Sequence, residues 1–78
     1  MDKEKLGAFV QMLRKEQQMT QKELADKLCI TDKAVSKWER GLSYPDISML
    51  EPLSDALQVS VLELLQGERM PAEKPIPI

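Results

Sequence analysis

The stretch from Thr20 to Gly41, TQKELADKLCITDKAVSKWERG, carries two short helical patterns with only Cys29 and Ile30 between them. A gap that tight sets the angle between the two helices instead of leaving it to an ordinary loop. A capping box opens the first: the Thr20 hydroxyl accepts from the Glu23 N–H, and the Glu23 carboxylate accepts from the Thr20 N–H. Leu24, Ala25 and Leu28 then share one face at three- and four-residue spacing. Thr31 caps the second helix, whose apolar side is Ala34, Val35 and Trp38 and whose left-handed stop is Gly41. Ile30 is the natural plug between the two, and Ala25 is small enough to let them approach.

On the second of these helices Asp32, Lys33, Ser36, Lys37 and Arg40 fall away from the apolar side and form one polar stripe. A helix is about 10–12 Å across with its side chains, and the major groove of B-DNA is about 12 Å wide. The stripe therefore fits the groove, where lysines can donate to guanine O6 and N7. Ordinary solvated charges are the bland alternative for a lone amphipathic helix; the preceding helix and the tight turn argue against it here. Lys33, Ser36 and Lys37 are the candidate base readers. Asp32 joins them as an acceptor for a cytosine amine, or else it serves only the positive end of the helix dipole. Arg40, at the helix end, and the Tyr44 hydroxyl in the following loop are placed to clamp phosphates.

These residues resemble the lambda repressor and Cro type of helix-turn-helix domain, the XRE family, over residues 5 to 66. The resemblance rests on Arg14, on Thr20-Gln21 with Glu23-Leu24-Ala25, on Val35-Ser36-Lys37-Trp38-Glu39-Arg40-Gly41, and on Ser43-Tyr44-Pro45-Asp46. It implies an all-α fold, a compact five-helix bundle with the helix-turn-helix at helices 2 and 3. It further implies a buried ion pair between Arg14 and Glu39 and a phosphate contact from Gln21, with Lys22 a weaker candidate. Cys29 departs from the pattern, since the family places glycine at this turn; a cysteine in a left-handed conformation costs about 1–2 kcal/mol.

The rest of the chain supplies the bundle. Residues 3 to 17 form a first helix, capped by Asp2, with Leu6, Phe9, Val10 and Leu13 on its buried face. Gly7 lowers its helicity by up to about 1 kcal/mol against alanine and marks close packing. Asp46 caps a fourth helix with Ile47, Leu50, Leu53, Ala56 and Leu57 turned inward, and Pro52 predicts a bend or a late start there. Ser60 and Glu63 make a second capping box for a fifth helix, which Gly67 closes. Its apolar residues Val61, Leu62, Leu64 and Leu65 point in too many directions for one core, so some are expected on a dimer surface. Residues 1 to 67 are the domain; residues 68 to 78, with three of the five prolines, read as an extended or disordered tail, or as a linker to a further C-terminal domain or a partner protein.

Composition narrows the function classes. One cysteine allows no internal disulfide, and no Cys/His cluster suggests a metal or other cofactor. No apolar run approaches the ~18 residues of a membrane span, and a cytoplasmic location is expected. The chain has no histidine, no phosphate-binding glycine loop and no nucleophile beside a base, so it reads as a non-enzyme. The net charge of −2 is divided unevenly: residues 1 to 45 hold nine Lys/Arg against seven Asp/Glu, and residues 46 to 78 hold two against six. The positive half contains the motif, although non-specific binding should be weaker than for a basic domain. The expectation is a sequence-specific regulator of transcription, a repressor bound as a homodimer to double-stranded DNA at a partly palindromic operator. The competing reading is a protein-interaction or antitoxin-like module that uses the same fold through its apolar, acidic second half.

Overall fold

The computed structural model describes residues 2–69, and its regular structure there is entirely helical: α1 (Lys3–Glu16), α2 (Gln21–Leu28), α3 (Asp32–Glu39), α4 (Ile47–Leu57) and α5 (Val61–Gln66). Each helix begins at the polar residue expected to cap it. Asp2 accepts from the Glu4 and Lys5 N–H groups, Thr31 from Ala34, and Asp46 from Ser48. The capping boxes at Thr20/Glu23 and Ser60/Glu63 are both complete. All of these contacts span three residues or fewer, which is why they can be read from sequence.

The helix ends share one device. After α2 the Ile30 N–H reaches the Ala25 carbonyl and the Cys29 N–H the Asp26 carbonyl, a left-handed stop with Cys29 at φ 59°. Equivalent stops follow α1 at Gln18 (φ 58°) and α4 at Gln58 (φ 61°), neither of them a glycine. Gly41 closes α3 in the same way, with Leu42 N–H on the Lys37 carbonyl.

Twelve apolar residues form the core: Leu6, Phe9, Val10, Leu13, Leu24, Ala25, Leu28, Val35, Trp38, Leu53, Leu57 and Leu64. Ile30 is half-buried against it, as expected of a plug in the turn. Helix α3 packs on α1 and α2, while α4 and α5 close the opposite side against α1, α2 and each other. Gly7 permits a close approach of α1 to α3. A Cβ there would collide with the Trp38 carbonyl oxygen and lie 3.0 Å from that of Glu39, so α1 is seated directly on the last turn of α3.

One expectation for α4 fails, and one of the two alternatives at Pro52 falls away. Ile47 is 84% exposed instead of facing inward. It lies six residues before Leu53, and six steps of about 100° place it about 120° away from that buried side chain. Nor does the helix start late at Pro52: α4 runs from Ile47 to Leu57 through it, with the ring exposed. In α5 Leu64 is fully buried, Val61 and Leu65 are half-buried, and Leu62 is 51% exposed. Glu68 and Arg69 pair with Lys5 and Glu16 on α1; residues 70 to 78 of the expected tail lie outside the described residues.

Candidate nucleic-acid interface

The outer face of α3 presents the side chains singled out from the sequence. Asp32, Lys33, Lys37 and Arg40 are exposed, and Ser36 is half-buried between them. The opposite face, Val35 and Trp38, is sunk in the core, so the stripe cannot roll inward. Trp38 is thereby a packing residue and unable to stack on a base. Eight residues make α3 about 12 Å long. Lys33 and Lys37 stand one helical turn apart on it. Asp32 occupies the first turn, where the helix dipole favours its charge.

What holds this rod is a buried ionic network. Arg14 Nε donates to Glu39 Oε2 at 2.6 Å and Arg14 Nη2 to Glu39 Oε1 at 3.0 Å, a two-point pairing of guanidinium with carboxylate. The side chains are only 10% and 2% exposed. Arg14 Nη1 also donates to the Met19 carbonyl at 2.8 Å, tying α1 to the segment that enters α2. Hydrogen bonding to the Glu39 carboxylate raises the guanidinium pKa above its ordinary value, against the opposing effect of burial. Arg14 therefore stays charged throughout the working pH range.

Sequence reasoning missed the third donor in this network. Gln21 Nε2 donates to Glu39 Oε1 at 3.0 Å. The amide orientation follows from chemistry, because its oxygen against a carboxylate would repel. The side chain expected to reach a phosphate thus has one of its two amide N–H groups engaged by Glu39 on α3. No local pattern signals this contact, since the residues are eighteen apart.

The remaining candidates sit around this centre. Lys22 is exposed and 3.8 Å from Asp26, a loose pair across one turn of α2. Arg40 is exposed, its Nε making a long 3.4 Å contact with the Ser36 carbonyl. Tyr44 is half-buried and packs against the core. The structure brings Lys33, Ser36, Lys37 and Arg40 onto one helix face, with Gln21 and Lys22 at the start of the neighbouring helix. Leu42, 57% exposed, and Ile47 flank the loop that follows α3. Among the described residues no helix is long and apolar enough to cross a membrane.

The sequence pattern that defines the helix-turn-helix family matches residues 10–64. The chain is 39% identical over 61 residues to the HTH-type transcriptional activator BcrR of Enterococcus faecalis, covering 78% of this chain and 30% of that protein. It is 38% identical over 76 residues to the HTH-type transcriptional regulator DicA of Escherichia coli, covering 91% of this chain and 56% of that one. This sequence therefore spans 30% and 56% of the length of these two curated relatives. Among solved structures, the P22 c2 repressor protein in complex with a synthetic operator superposes with a TM-score of 0.77 and 33% identity, over 81% of this chain and 96% of that one.

Proposed function

The chain belongs to the helix-turn-helix family of the lambda repressor and Cro type, and from that premise we propose that it is a sequence-specific DNA-binding regulator of transcription. Helix α3 enters the major groove of double-stranded DNA, and Lys33, Ser36 and Lys37 read base edges from it, with Asp32 accepting from a cytosine amine. Lys22, Arg40, Tyr44 and the first turn of α2 meet phosphates and set the register. The observation that carries this reading is the exposed polar stripe on a helix whose other side is locked by buried Val35, Trp38 and the Arg14–Glu39 pair.

Two copies of the domain are needed to read a partly palindromic site. Half-site centres then lie about 34–36 Å apart, one turn of the duplex. Among the described residues, the exposed Met12, Leu42, Ile47 and Leu62 are the large apolar side chains available for contact between copies. Bound over a promoter, such a dimer represses by occlusion.

Selection of bound duplexes from a random pool tests the proposal. A recovered motif with two related half-sites about ten base pairs apart supports it, and binding to that motif weakens as salt rises. A pool that stays random, or an affinity indifferent to salt, overturns it.

A further inference from the structure

Beyond α5 the chain turns onto α1. Gly67 sits so close to it that a Cβ would lie 2.8 Å from the Lys5 Cγ and 3.3 Å from the Lys5 carbonyl carbon. Lys5 Nζ is 3.5 Å from the Glu68 carboxylate, and Arg69 Nη2 donates to Glu16 Oε1 at 2.8 Å. Lys5 and Glu16 stand about 16 Å apart along the helix axis. The two residues after Gly67 are therefore fastened near opposite ends of α1.

Between those two pairs the surface of α1 is apolar. Ala8, Phe9 and Met12 floor a groove of about 250 Å³ that Glu68 and Arg69 wall, and Met12 is 43% exposed there. Water on that floor meets almost no polar partner, so covering it is favourable. At about 100° per residue, Lys5, Met12 and Glu16 fall within about 40° of one another around α1, whereas Gly7 and Arg14, which meet α3, lie about 160–180° from Lys5. The groove thus faces away from α3. A second copy seated on it by a two-fold axis would turn the two α3 helices outward at opposite ends of the pair, which does not suit a dimer reading a palindrome, a step that rests on the reading of α3 above.

The occupant nearest at hand is the chain itself. Arg69 walls the groove, and the next residues in the sequence, outside the described ones, are Met70, Pro71 and Ala72. With no loop to close, bringing Met70 to Met12 costs little chain entropy. Pro71 confines its own φ and biases Met70 toward extended backbone, so less freedom is lost on docking than for an ordinary segment. Methionine, unbranched and polarizable, adapts to an irregular apolar gap.

We propose that Met70, Pro71 and Ala72 close the groove on α1 in cis, with the Met70 side chain on Met12 and Phe9, continuing the strap that the Lys5–Glu68 and Glu16–Arg69 pairs begin. The strap withdraws Met12 from the surface open to other molecules and leaves Leu42, Ile47 and Leu62 for contact between copies. It also holds the residues that follow on the side of the domain remote from α3.

The test uses the full 78-residue chain with its five methionine methyls labelled with carbon-13. Nuclear Overhauser cross-peaks are expected from the Met70 methyl to the Met12 methyl and the Phe9 ring, unchanged on dilution. A Met70 methyl without cross-peaks to α1 overturns the proposal. Cross-peaks that fade on dilution, or that arise between labelled and unlabelled copies, place a second copy in the groove and overturn it as well.

Stability supplies an independent arm. Met70→Ser is expected to lower the melting temperature by about 4–10 °C, the loss of part of one buried methionine read through the slope for a domain of this size. Met12→Ser should lower it by a similar amount, and the double variant should fall little further than either single one, because each removes the same contact. Losses that add, or a Met70→Ser chain that melts with wild type, overturn the proposal. Neither arm involves DNA, so failure here leaves the regulatory reading standing.

Discussion

Replacing Arg14 by methionine tests the network that seats α3. The substitution leaves the Glu39 carboxylate, 2% exposed, with one donor in place of three, and leaves the Met19 carbonyl without its guanidinium partner. Breaking one side of a buried ion pair costs about 3–5 kcal/mol, because the survivor is desolvated and uncompensated. A domain of this length has a total stability of roughly 4–12 kcal/mol. At about 4–8 °C of melting temperature per kcal/mol for a domain of this size, the midpoint should drop by roughly 12–40 °C in a circular dichroism melt. The double variant Arg14→Met/Glu39→Leu removes both charges, and apolar replacement of a whole buried pair is neutral to stabilising. It should recover most of the loss. A single variant that melts within about 3 °C of wild type would refute the claim that this pair is buried and structural.

Three further substitutions or titrations probe the frame around it. Gly7→Ala should destabilise by about 1–3 kcal/mol in urea despite the better helix former, because the new methyl meets the backbone carbonyls of Trp38 and Glu39; a gain in stability would contradict the close seating. Cys29→Gly relieves a left-handed φ of 59° and should raise the melting temperature by a few degrees, for a gain of about 0.5–1 kcal/mol; a fall would mean the turn is held otherwise. Asp46 accepts from the Ser48 hydroxyl at 2.6 Å and, more weakly, from its N–H, which lowers its pKa below the ordinary 3.8. Its cap therefore stabilises α4 above the unfolded-state pKa and is lost as pH falls through the folded value. Carboxyl NMR should give a depressed midpoint, and a midpoint at or above 3.8 would remove this role.

What could be read in advance divides by sequence separation. Both capping boxes, the caps at Asp2, Thr31 and Asp46, and the buried faces of α1, α2 and α3 follow from patterns within a few residues, and the structure has them where the patterns put them. The stops at Gln18 and Gln58 were illegible because glutamine carries no left-handed preference; the chain imposes it by packing what comes next. Ile47 was misplaced because it is apolar and adjacent to a real stripe, and only the full rotation of α4 shows it turned away. Arg14–Glu39, twenty-five residues apart, was reachable only through family resemblance. Gln21–Glu39, and the Gln17 side chain donating to the Leu57 carbonyl forty residues on, had no signal at all. Long-range polar contacts depend on how finished helices dock, which no local periodicity encodes.

The charge distribution now acquires a mechanical reading. In the proposed complex Lys33 and Lys37 face base edges, and phosphate neutralisation is left to Arg40 and to Lys22, the latter partly engaged by Asp26. Each phosphate neutralised contributes about −0.9 to the slope of log affinity against log salt. One or two per domain, doubled in a dimer, give a slope of roughly −2 to −4, well short of the ~−10 seen for strongly basic binding. Asp32, together with the excess of carboxylates from residue 46 onward, opposes any unspecific hold on the duplex. On the proposed reading, such a domain holds DNA best where Lys33, Ser36 and Lys37 find their bases, and its discrimination then depends on how rigidly α3 is held. The same reading gives the buried contacts of Glu39, which seat α3, as much consequence for recognition as the side chains proposed to enter the groove.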